Sequence, residues 1–242
     1  MIIEKRLSPY AVSIMLKRSG YDHIICEKTI YNYIRSGLIP GVTMEQMAYV
    51  KHKHKKEEVK ALPRKKDAPS IEDRPKDILS RLDFGHWEMD TVYSGKGCSK
   101  ACLLVLTERM TLHELIYKMP DRTSLSVEKV LDRIERKIGR RNFRRTFKTI
   151  TVDNGAEFMD YDAITKHNRT ELYYCHPYCS GERGSNENQN KLVRRWIPKG
   201  DDIGLYSDQD ITFIQEWIND LPRKHFAGAS SADLSKMYIN IS

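Results

Sequence analysis

Between residues 85 and 176, the apolar residues recur with two spacings, one typical of strands and one typical of helices. The order of these segments limits the chain to few folds. Strand-like runs cover 86–93, 102–106, 112–117, 148–152 and 172–175. The first three follow one another with short turns between them, which predicts an antiparallel meander. The fourth and fifth are preceded by helical patterns at Ser124–Ile138 and Ala156–His167. Strands that first succeed each other and then alternate with helices predict a mixed five-stranded α/β sheet with helices on its faces.

Two short helices are predicted ahead of the sheet. Ser8 is a suitable N-cap for a helix that Gly20 ends. A second helix spans Glu27–Ser36, and Gly37 stops it. Two short helices joined by a turn resemble a helix-turn-helix, although the pattern alone favours an ordinary helical hairpin.

The balance of charge favours a polyanionic partner. The formal net charge is +8 and the isoelectric point is about 9.1. Residues 51–66 alone hold eight Lys or Arg and two Glu. Such a charge run is typical of a solvated tether. We expect it also to lie along a phosphate backbone, because the two roles are compatible. Nucleic acid is the default candidate, and a merely basic soluble protein is an equally weighted alternative.

No apolar run approaches the length of a membrane span, and residues 1–10 lack the pattern of a signal peptide. We therefore expect no membrane partner and a cytoplasmic location. The five cysteines are an odd count, which favours reduced thiols over a disulfide framework. Cys175 and Cys179 with Cys98 and Cys102 would be the natural halves of a zinc site, but their spacing matches a zinc ribbon poorly.

Three acidic residues stand at positions suited to chemistry. Asp90 lies inside the first predicted strand, Asp153 ends the fourth, and Glu187 begins a predicted helix, Glu187–Trp196. A carboxylate within an apolar strand is costly unless it is paired or binds a metal. Phosphodiester transfer must activate an attacking oxygen and stabilise a leaving oxygen, and two Mg²⁺ ions held by carboxylates can do both.

Several segments resemble one known family. HWEMDTV at 86–92, TVDNGAEF at 151–158 and YYCHPYCSGERGSNENQNKLVRRWIPKG at 173–200 look like the catalytic core of bacterial insertion-sequence transposases. SIEDRPKDILSR at 70–81 and RLSPYAVSIMLKR near the N-terminus extend the match over nearly the whole chain. The closest resemblance is to the insertion-sequence-thirty family, within the retroviral-integrase-like superfamily.

The resemblance implies an RNase H-like core with Asp90, Asp153 and Glu187 as catalytic residues and ligands of two Mg²⁺ (or Mn²⁺) ions. It implies hydrolysis at transposon ends and attack of the freed 3′-hydroxyl on target DNA. The chain would then divide into a partial helix-turn-helix DNA-binding region at 1–50, a basic linker at 51–80 and a catalytic domain at 81–242. We also expect a homo-oligomer, because two DNA ends must be processed together. A nucleoid-associated location is a further expectation.

Neighbouring residues provide further candidates. The candidate DNA contacts are Lys191, Arg194, Arg195, Thr29 and Asn32. Lys191 could instead pair with Glu187, four positions away on a helix. For Glu88 a pairing with a base is favoured over support of the metal site, and for Glu157 a favourable position at a helix start is explanation enough. His86, His176, Trp87 and Trp196 are expected to be structural.

An alternative function stays open. Family members are usually longer at the N-terminus, and Cys26 stands where a capping Ser or Thr is typical before the second helix. A truncated, non-catalytic product that binds DNA and inhibits or regulates transposition would fit these departures. A general RNase H-like nuclease is disfavoured, because RGSNEN and its flanks match transposases more closely.

Overall fold

The computed structural model describes residues 1–47, 68–177 and 179–238. Most of the predicted linker, 51–67, lies outside the described residues. Its last part, 68–80, is folded: Ser70 forms a bridge to Tyr174, and Ala68 and Ile78 are buried. In the described part of the chain, no helix is long and apolar enough to cross a membrane.

The predicted mixed sheet is confirmed. Its strands are β1 His86–Tyr93, β2 Cys102–Glu108, β3 Glu114–Met119, β4 Thr149–Val152 and β5 Glu171–Tyr174. They lie in the order β3-β2-β1-β4-β5. The short turns make the β1–β2 and β2–β3 pairs antiparallel, whereas the helical crossovers make the β1–β4 and β4–β5 pairs parallel. This is the RNase H-like arrangement that the sequence predicted.

Both faces of the sheet are covered, which is why β2 is a continuous apolar run. The helices of this unit are α3 Ser124–Ile138, α4 Arg140–Thr146, α5 Tyr161–Ile164, α6 Gly184–Trp196 and α7 Asp208–Asp220. Leu104 and Leu106 point into a core shared with α3, and Leu103 and Val105 into a core shared with α6 and α7. Alternate residues of one strand therefore serve two separate cores.

The N-terminal helices belong to a second compact unit. They are α1 Pro9–Arg18 and α2 Glu27–Arg35, and the segment Asp220–Leu234 is part of the same unit. Ser8 caps α1 through Ala11 N (3.2 Å), as predicted, and Cys26 precedes α2 without a side-chain capping bond. Within the unit, Lys224 Nζ pairs with Glu27 Oε2 at 2.9 Å. The predicted catalytic region, 81–242, includes this segment.

Three local predictions need correction. Ala156–His167 is not one helix, because a 3-10 turn at Ala156–Phe158 precedes α5. Asp160 caps the new helix start by accepting from Ala163 N (3.0 Å). His167 has a positive φ of 58°, which is not helical. The helix α4 was missed, because its run of arginines has too few apolar residues to give a helical pattern. The helix α6 begins at Gly184, three residues before its predicted start. A last short helix, α8, spans Ser231–Ser235.

A buried ion pair joins the sheet to α6. Glu88 in β1 is fully buried, and Arg109 Nη1 donates a hydrogen bond to Glu88 Oε1. The other carboxylate oxygen, Oε2, accepts from the backbone N–H of Asn186 at 2.9 Å. Asn186 is the third residue of α6, so Glu88 satisfies one of the four N–H groups that a helix start leaves open. The predicted pairing of Glu88 with a base is confirmed.

We expect Arg109→Leu to lower the free energy of unfolding of the sheet unit by about 3–5 kcal/mol, because it leaves the Glu88 charge buried without its partner. Urea unfolding followed by tryptophan fluorescence measures this, since Trp87, Trp196 and Trp217 all lie in this unit. Arg133→Leu, at an exposed position of α3, is the control and should change stability by less than about 0.5 kcal/mol. Equal effects of the two substitutions would contradict the assignment.

Candidate active site

The register between β1 and β4 places two predicted carboxylates side by side. Glu88 lies opposite Thr151 in this parallel pair, so two residues farther along each strand come Asp90 and Asp153. Paired strands are about 4.8 Å apart. Asp153 directly follows β4 and accepts a hydrogen bond from Gly155 N at 2.9 Å, which turns the chain away from the sheet.

One arginine bridges this pair of aspartates. Arg183 Nη2 lies 2.8 Å from Asp153 Oδ2, and Nη1 lies 3.3 Å from Asp90 Oδ1. Nη1 also donates to the backbone oxygen of Met89 at 3.2 Å. Burial acts to lower the pKa of Arg183, but the charges of the two aspartates outweigh it and raise that pKa. The guanidinium therefore stays charged between the two carboxylates.

Asp90 is the more enclosed of the two aspartates. Its side chain is 23% exposed, against 42% for Asp153. Burial raises the pKa of Asp90 above its ordinary value, and the neighbouring Arg183 only partly offsets this. Its Oδ2 accepts a hydrogen bond from Asn190 Nδ2 at 2.8 Å, and its Oδ1 accepts from Thr91 N. Asn190 thus ties the middle of α6 to the first predicted ligand.

Glu187 is not gathered with the two aspartates. It lies in the first turn of α6 with its side chain 55% exposed, and its Oε1 lies 3.1 Å from Lys191 Nζ. Asn190, three residues on, shares the helix face of Glu187 and contacts Asp90. Within the described residues, no three His, Cys, Asp or Glu side chains stand together as a ready-made metal site.

Glu157 has a larger structural role than its sequence position suggested. It is buried, accepts a hydrogen bond from Thr91 Oγ1 at 2.6 Å and pairs with Arg122 Nε at 3.3 Å. Gly155 lies between Glu157 and Asp153: a Cβ at that position would stand 2.7 Å from Glu157 Oε2 and 2.9 Å from Asp153 Oδ1. The glycine of the Asp-Asn-Gly turn therefore leaves room for the two carboxylate ends, which a side chain at this position would have to displace.

The candidate DNA contacts fall into separate groups. Arg194 donates to the backbone oxygen of Tyr93 at 3.0 Å, at the end of β1, so it lies along the same strand as Asp90. Arg195 lies over the ring of Trp217, 5.9 Å from its centroid. Thr29 and Asn32 lie on α2 in the other unit, where Thr29 Oγ1 is 3.3 Å from Cys26 Sγ and Asn32 is exposed.

The cysteines do not assemble a zinc site in the described part of the chain. Cys102 and Cys175 are buried, and burial raises the pKa of each thiol to about 12, so both stay protonated. Cys98 and Cys179 are exposed. Trp87 and His86 are structural, as predicted: Trp87 Nε1 donates to Thr146 O at 2.6 Å, and His86 Nδ1 contacts Thr149 Oγ1 at 2.9 Å.

Comparison with known proteins identifies the family. A family model described as "Integrase core domain" matches residues 82–180. The transposase for insertion sequence element IS4351 of Bacteroides fragilis is 30% identical over 99% of this chain and 72% of its own length. The chain belongs to the insertion-sequence transposases with an integrase core.

Two further transposases are similar to this chain. The probable transposase for insertion-like sequence element IS1161 of Streptococcus salivarius is 34% identical over 81% of this chain, which spans 54% of that relative. Transposase InsI for IS30A of Escherichia coli K12 is 28% identical over 64% of the chain and 38% of its own length, in line with the predicted resemblance. The catalytic core domain of BIV integrase has a TM-score of 0.47 and 16% identity, covering 63% of this chain and 93% of its own.

Arg183 is the site residue that sequence reasoning missed. It stands within the segment 173–200 that carries the sequence resemblance, four positions before Glu187. The signal that could have found it is physical: two aspartates at neighbouring strand ends repel each other and require a cation. The segment before it is held by His176, whose Nδ1 lies 2.7 Å from Glu182 Oε1 and whose backbone N–H donates to Glu182 Oε2.

We expect the pKa of His176 to lie above the ordinary 6.5, because the hydrogen bond and charge of Glu182 favour the imidazolium. That pair stabilises the segment fully below the unfolded pKa, and the contribution is lost as pH rises through the folded pKa. NMR titration of the imidazole measures it. Glu182→Gln should lower the His176 midpoint and leave His86 unchanged, which titrates below 6.5 because burial lowers its pKa. An unchanged His176 midpoint in the variant would contradict this assignment.

Proposed function

We propose that this chain catalyses metal-dependent DNA cleavage and strand transfer, with Asp90, Asp153 and Glu187 as the metal-binding catalytic residues. The observation that carries the proposal is the Asp90–Arg183–Asp153 arrangement. The β1–β4 register sets two carboxylates side by side at the end of a parallel strand pair, where open α/β sheets bind their ligands. The family to which the chain belongs supports the same reaction.

The residues present fit a divalent cation. Carboxylate oxygens are the donors that Mg²⁺ and Mn²⁺ favour. Asp90 and Asp153 both reach the one guanidinium of Arg183, so they converge on a single positive charge. When bound, the proposed pair of ions would activate the attacking oxygen and stabilise the leaving oxygen. Arg183 holds the two carboxylates in place before that charge arrives.

Glu187 is the proposed third ligand because it is poorly committed elsewhere. Its ion pair with Lys191 joins two side chains that are both more than half exposed. Such pairs contribute about 0–1 kcal/mol, so Glu187 can leave Lys191 at little cost. Its neighbour on the same helix face, Asn190, already contacts Asp90 and fixes where that face lies.

The proposed DNA path follows the exposed face of α6. Lys191 and Arg194 are four and seven residues after Glu187, on its side of the helix, so we propose that both contact phosphates near the reacting bond. Arg195, Thr29 and Asn32 complete the proposed contacts. We propose that 1–50 is a DNA-binding region and that the sheet unit within 81–242 is catalytic, with two copies acting on two DNA ends.

Asp153→Asn is expected to lower metal-dependent cleavage and strand transfer by roughly 1000-fold or more, because a metal supplies several kcal/mol of transition-state stabilisation and each 1.36 kcal/mol is tenfold in rate. The measurement uses a labelled duplex carrying a transposon end, with Mg²⁺ or Mn²⁺. DNA binding should persist. Asp208→Asn, an exposed acid at the start of α7, is the matched control and should keep full activity.

The same assay distinguishes the alternative function. If the wild-type chain binds DNA and inhibits a longer transposase without metal-dependent turnover, the regulatory product is supported and the catalytic proposal fails. Equal activity of Asp153→Asn and wild type would remove Asp153 from the proposed ligands.

Arg183→Gln should lower the free energy of unfolding in the presence of a chelator by about 1.5–3 kcal/mol, the range for a hydrogen bond to a charged group. Mg²⁺ or Mn²⁺ should then stabilise the variant more than the wild type, because the ion no longer competes with the guanidinium for the same oxygens. Thermal unfolding with and without the ion measures both effects. Lys191→Gln is the control, since it removes an exposed pair; a similar response in both variants would contradict the role of Arg183.

A further inference from the structure

A strongly basic segment connects α3 to β4, away from the proposed catalytic residues. Residues 133–148 contain eight Lys or Arg and one Glu, so this short stretch carries nearly all of the chain's formal net charge of +8. We name as the α3–α4 basic surface the exposed residues Arg136, Lys137, Arg140, Arg141, Arg144 and Arg145. The proposed function does not use any of them.

The fold presents these charges on a rigid base. Phe143 and Thr146 of α4 are buried, and Phe143 stacks against Phe147 with ring centroids 4.6 Å apart. Gly139, with a φ of 81°, ends α3 and starts α4. The apolar side of α4 is thus fixed to the core, and its arginines are held on the opposite side. The surface is defined in shape and does not depend on a mobile tail.

In α4, Arg141 and Arg145 are not neutralised by any described residue. Arg140 pairs with Glu135 at 3.3 Å, and Arg144 Nη2 donates to His167 O at 2.5 Å. In contrast, the side chains of Arg141 and Arg145 make no ion pair or hydrogen bond with any described residue. They are available for an external anion.

The arrangement opposes the stability of α4. Arg140 and Arg144, and likewise Arg141 and Arg145, are like charges four residues apart, which destabilises a helix. Arg140 and Arg141 also occupy the first turn, where the helix dipole disfavours cations. A local rule broken in α4, where Arg141 and Arg145 have no compensating contact with a described residue, indicates a role in binding.

We infer that the α3–α4 basic surface binds the phosphate backbone of duplex DNA outside the catalytic edge. This inference rests on the proposed function for its choice of partner. Lys148 follows the last residue of this surface by three positions, and β4 separates Lys148 from Asp153 by five residues, or about 16 Å of extended chain. Duplex DNA rises about 3.4 Å per base pair, so the contacted phosphates lie roughly five base pairs or more from the reacting bond.

The experiment measures how salt weakens the binding of a duplex, by fluorescence anisotropy in a chelating buffer without divalent ions. Arg141→Gln/Arg145→Gln should reduce the slope of log K against log salt by about 2, because each phosphate contact contributes about 0.9. Arg141→Lys/Arg145→Lys keeps both charges and should retain the slope. Arg136→Gln/Lys137→Gln tests the same surface from α3 and should also reduce the slope, should the first variant fold poorly.

Lys100→Gln/Lys129→Gln is the matched control, because it removes the same charge at exposed positions whose local field includes Asp121. It should leave the slope within about 0.3 of wild type. Thermal unfolding without DNA is a second readout: Arg141→Gln/Arg145→Gln should be at least as stable as wild type, since a like-charge pair is removed.

An unchanged slope in Arg141→Gln/Arg145→Gln, or an equal fall in the lysine control, would overturn the inference. Binding to vesicles of anionic lipid that depends on the same arginines, with an unchanged DNA slope, would assign the surface to a membrane and overturn it as well. Failure of the catalytic proposal would be seen separately, as a lack of metal-dependent turnover in a protein that still shows the predicted slopes.

Discussion

The Glu88 carboxylate is the interaction on which the rest of the site depends. A fully buried charge is expensive, and here both of its oxygens are used. One accepts from Arg109, and the other accepts from the N-terminal turn of α6. The charge in β1 thereby fixes where α6 begins, and α6 carries Glu187, Asn190 and Arg194 along the same strand. These two hydrogen bonds offset the cost of burying Glu88. They also fix the start of α6, where no local side chain caps the helix.

The second constraint is the parallel pairing of β1 with β4. This pairing sets Asp90 next to Asp153 independently of the conformation of the surrounding loops. The register is determined by buried residues on both strands. The proximity of two like charges then requires a cation, which Arg183 supplies from the turn before α6. The contacts of the Arg183 guanidinium therefore depend both on the register of the sheet and on the position of α6. The pair of aspartates and the start of α6 are consequently coupled through Arg183 as well as through Glu88.

Much of this architecture could be predicted from the sequence. The helix α3 and the strand β1 have the predicted bounds, because their apolar residues repeat with a clear period over many positions. The start of α6 could not be predicted, because its capping group lies 98 residues away in β1. The broken segment after Asp153 was misjudged although its cap is local, since Asp160 accepts from Ala163 N three residues on. The arginine-rich α4 was missed because its anchoring by the buried Phe143 depends on tertiary contacts.

Prediction of the site met the same limit. Asp90, Asp153 and Glu187 could be selected because motif and chemistry both point to acids at strand and helix ends. Three features depend on which residues meet across the sheet: the role of Arg183, the hydrogen bond from Asn186 N–H to Glu88, and the burial of Glu157. The spacing of residues along the chain does not show these meetings. Sequence alone gives the charged groups that a reaction needs more readily than the groups that hold them.

The approach of Glu157 and Asp153 across Gly155 has a consequence for the evolution and engineering of this core. A single methyl group at position 155 would stand within 3 Å of both carboxylates. A side chain at position 155 would therefore have to displace the carboxylate ends of Glu157 or Asp153, the groups that it would meet first. A substitution at position 155 would thus change the position of these carboxylates indirectly, without altering any acid of the centre.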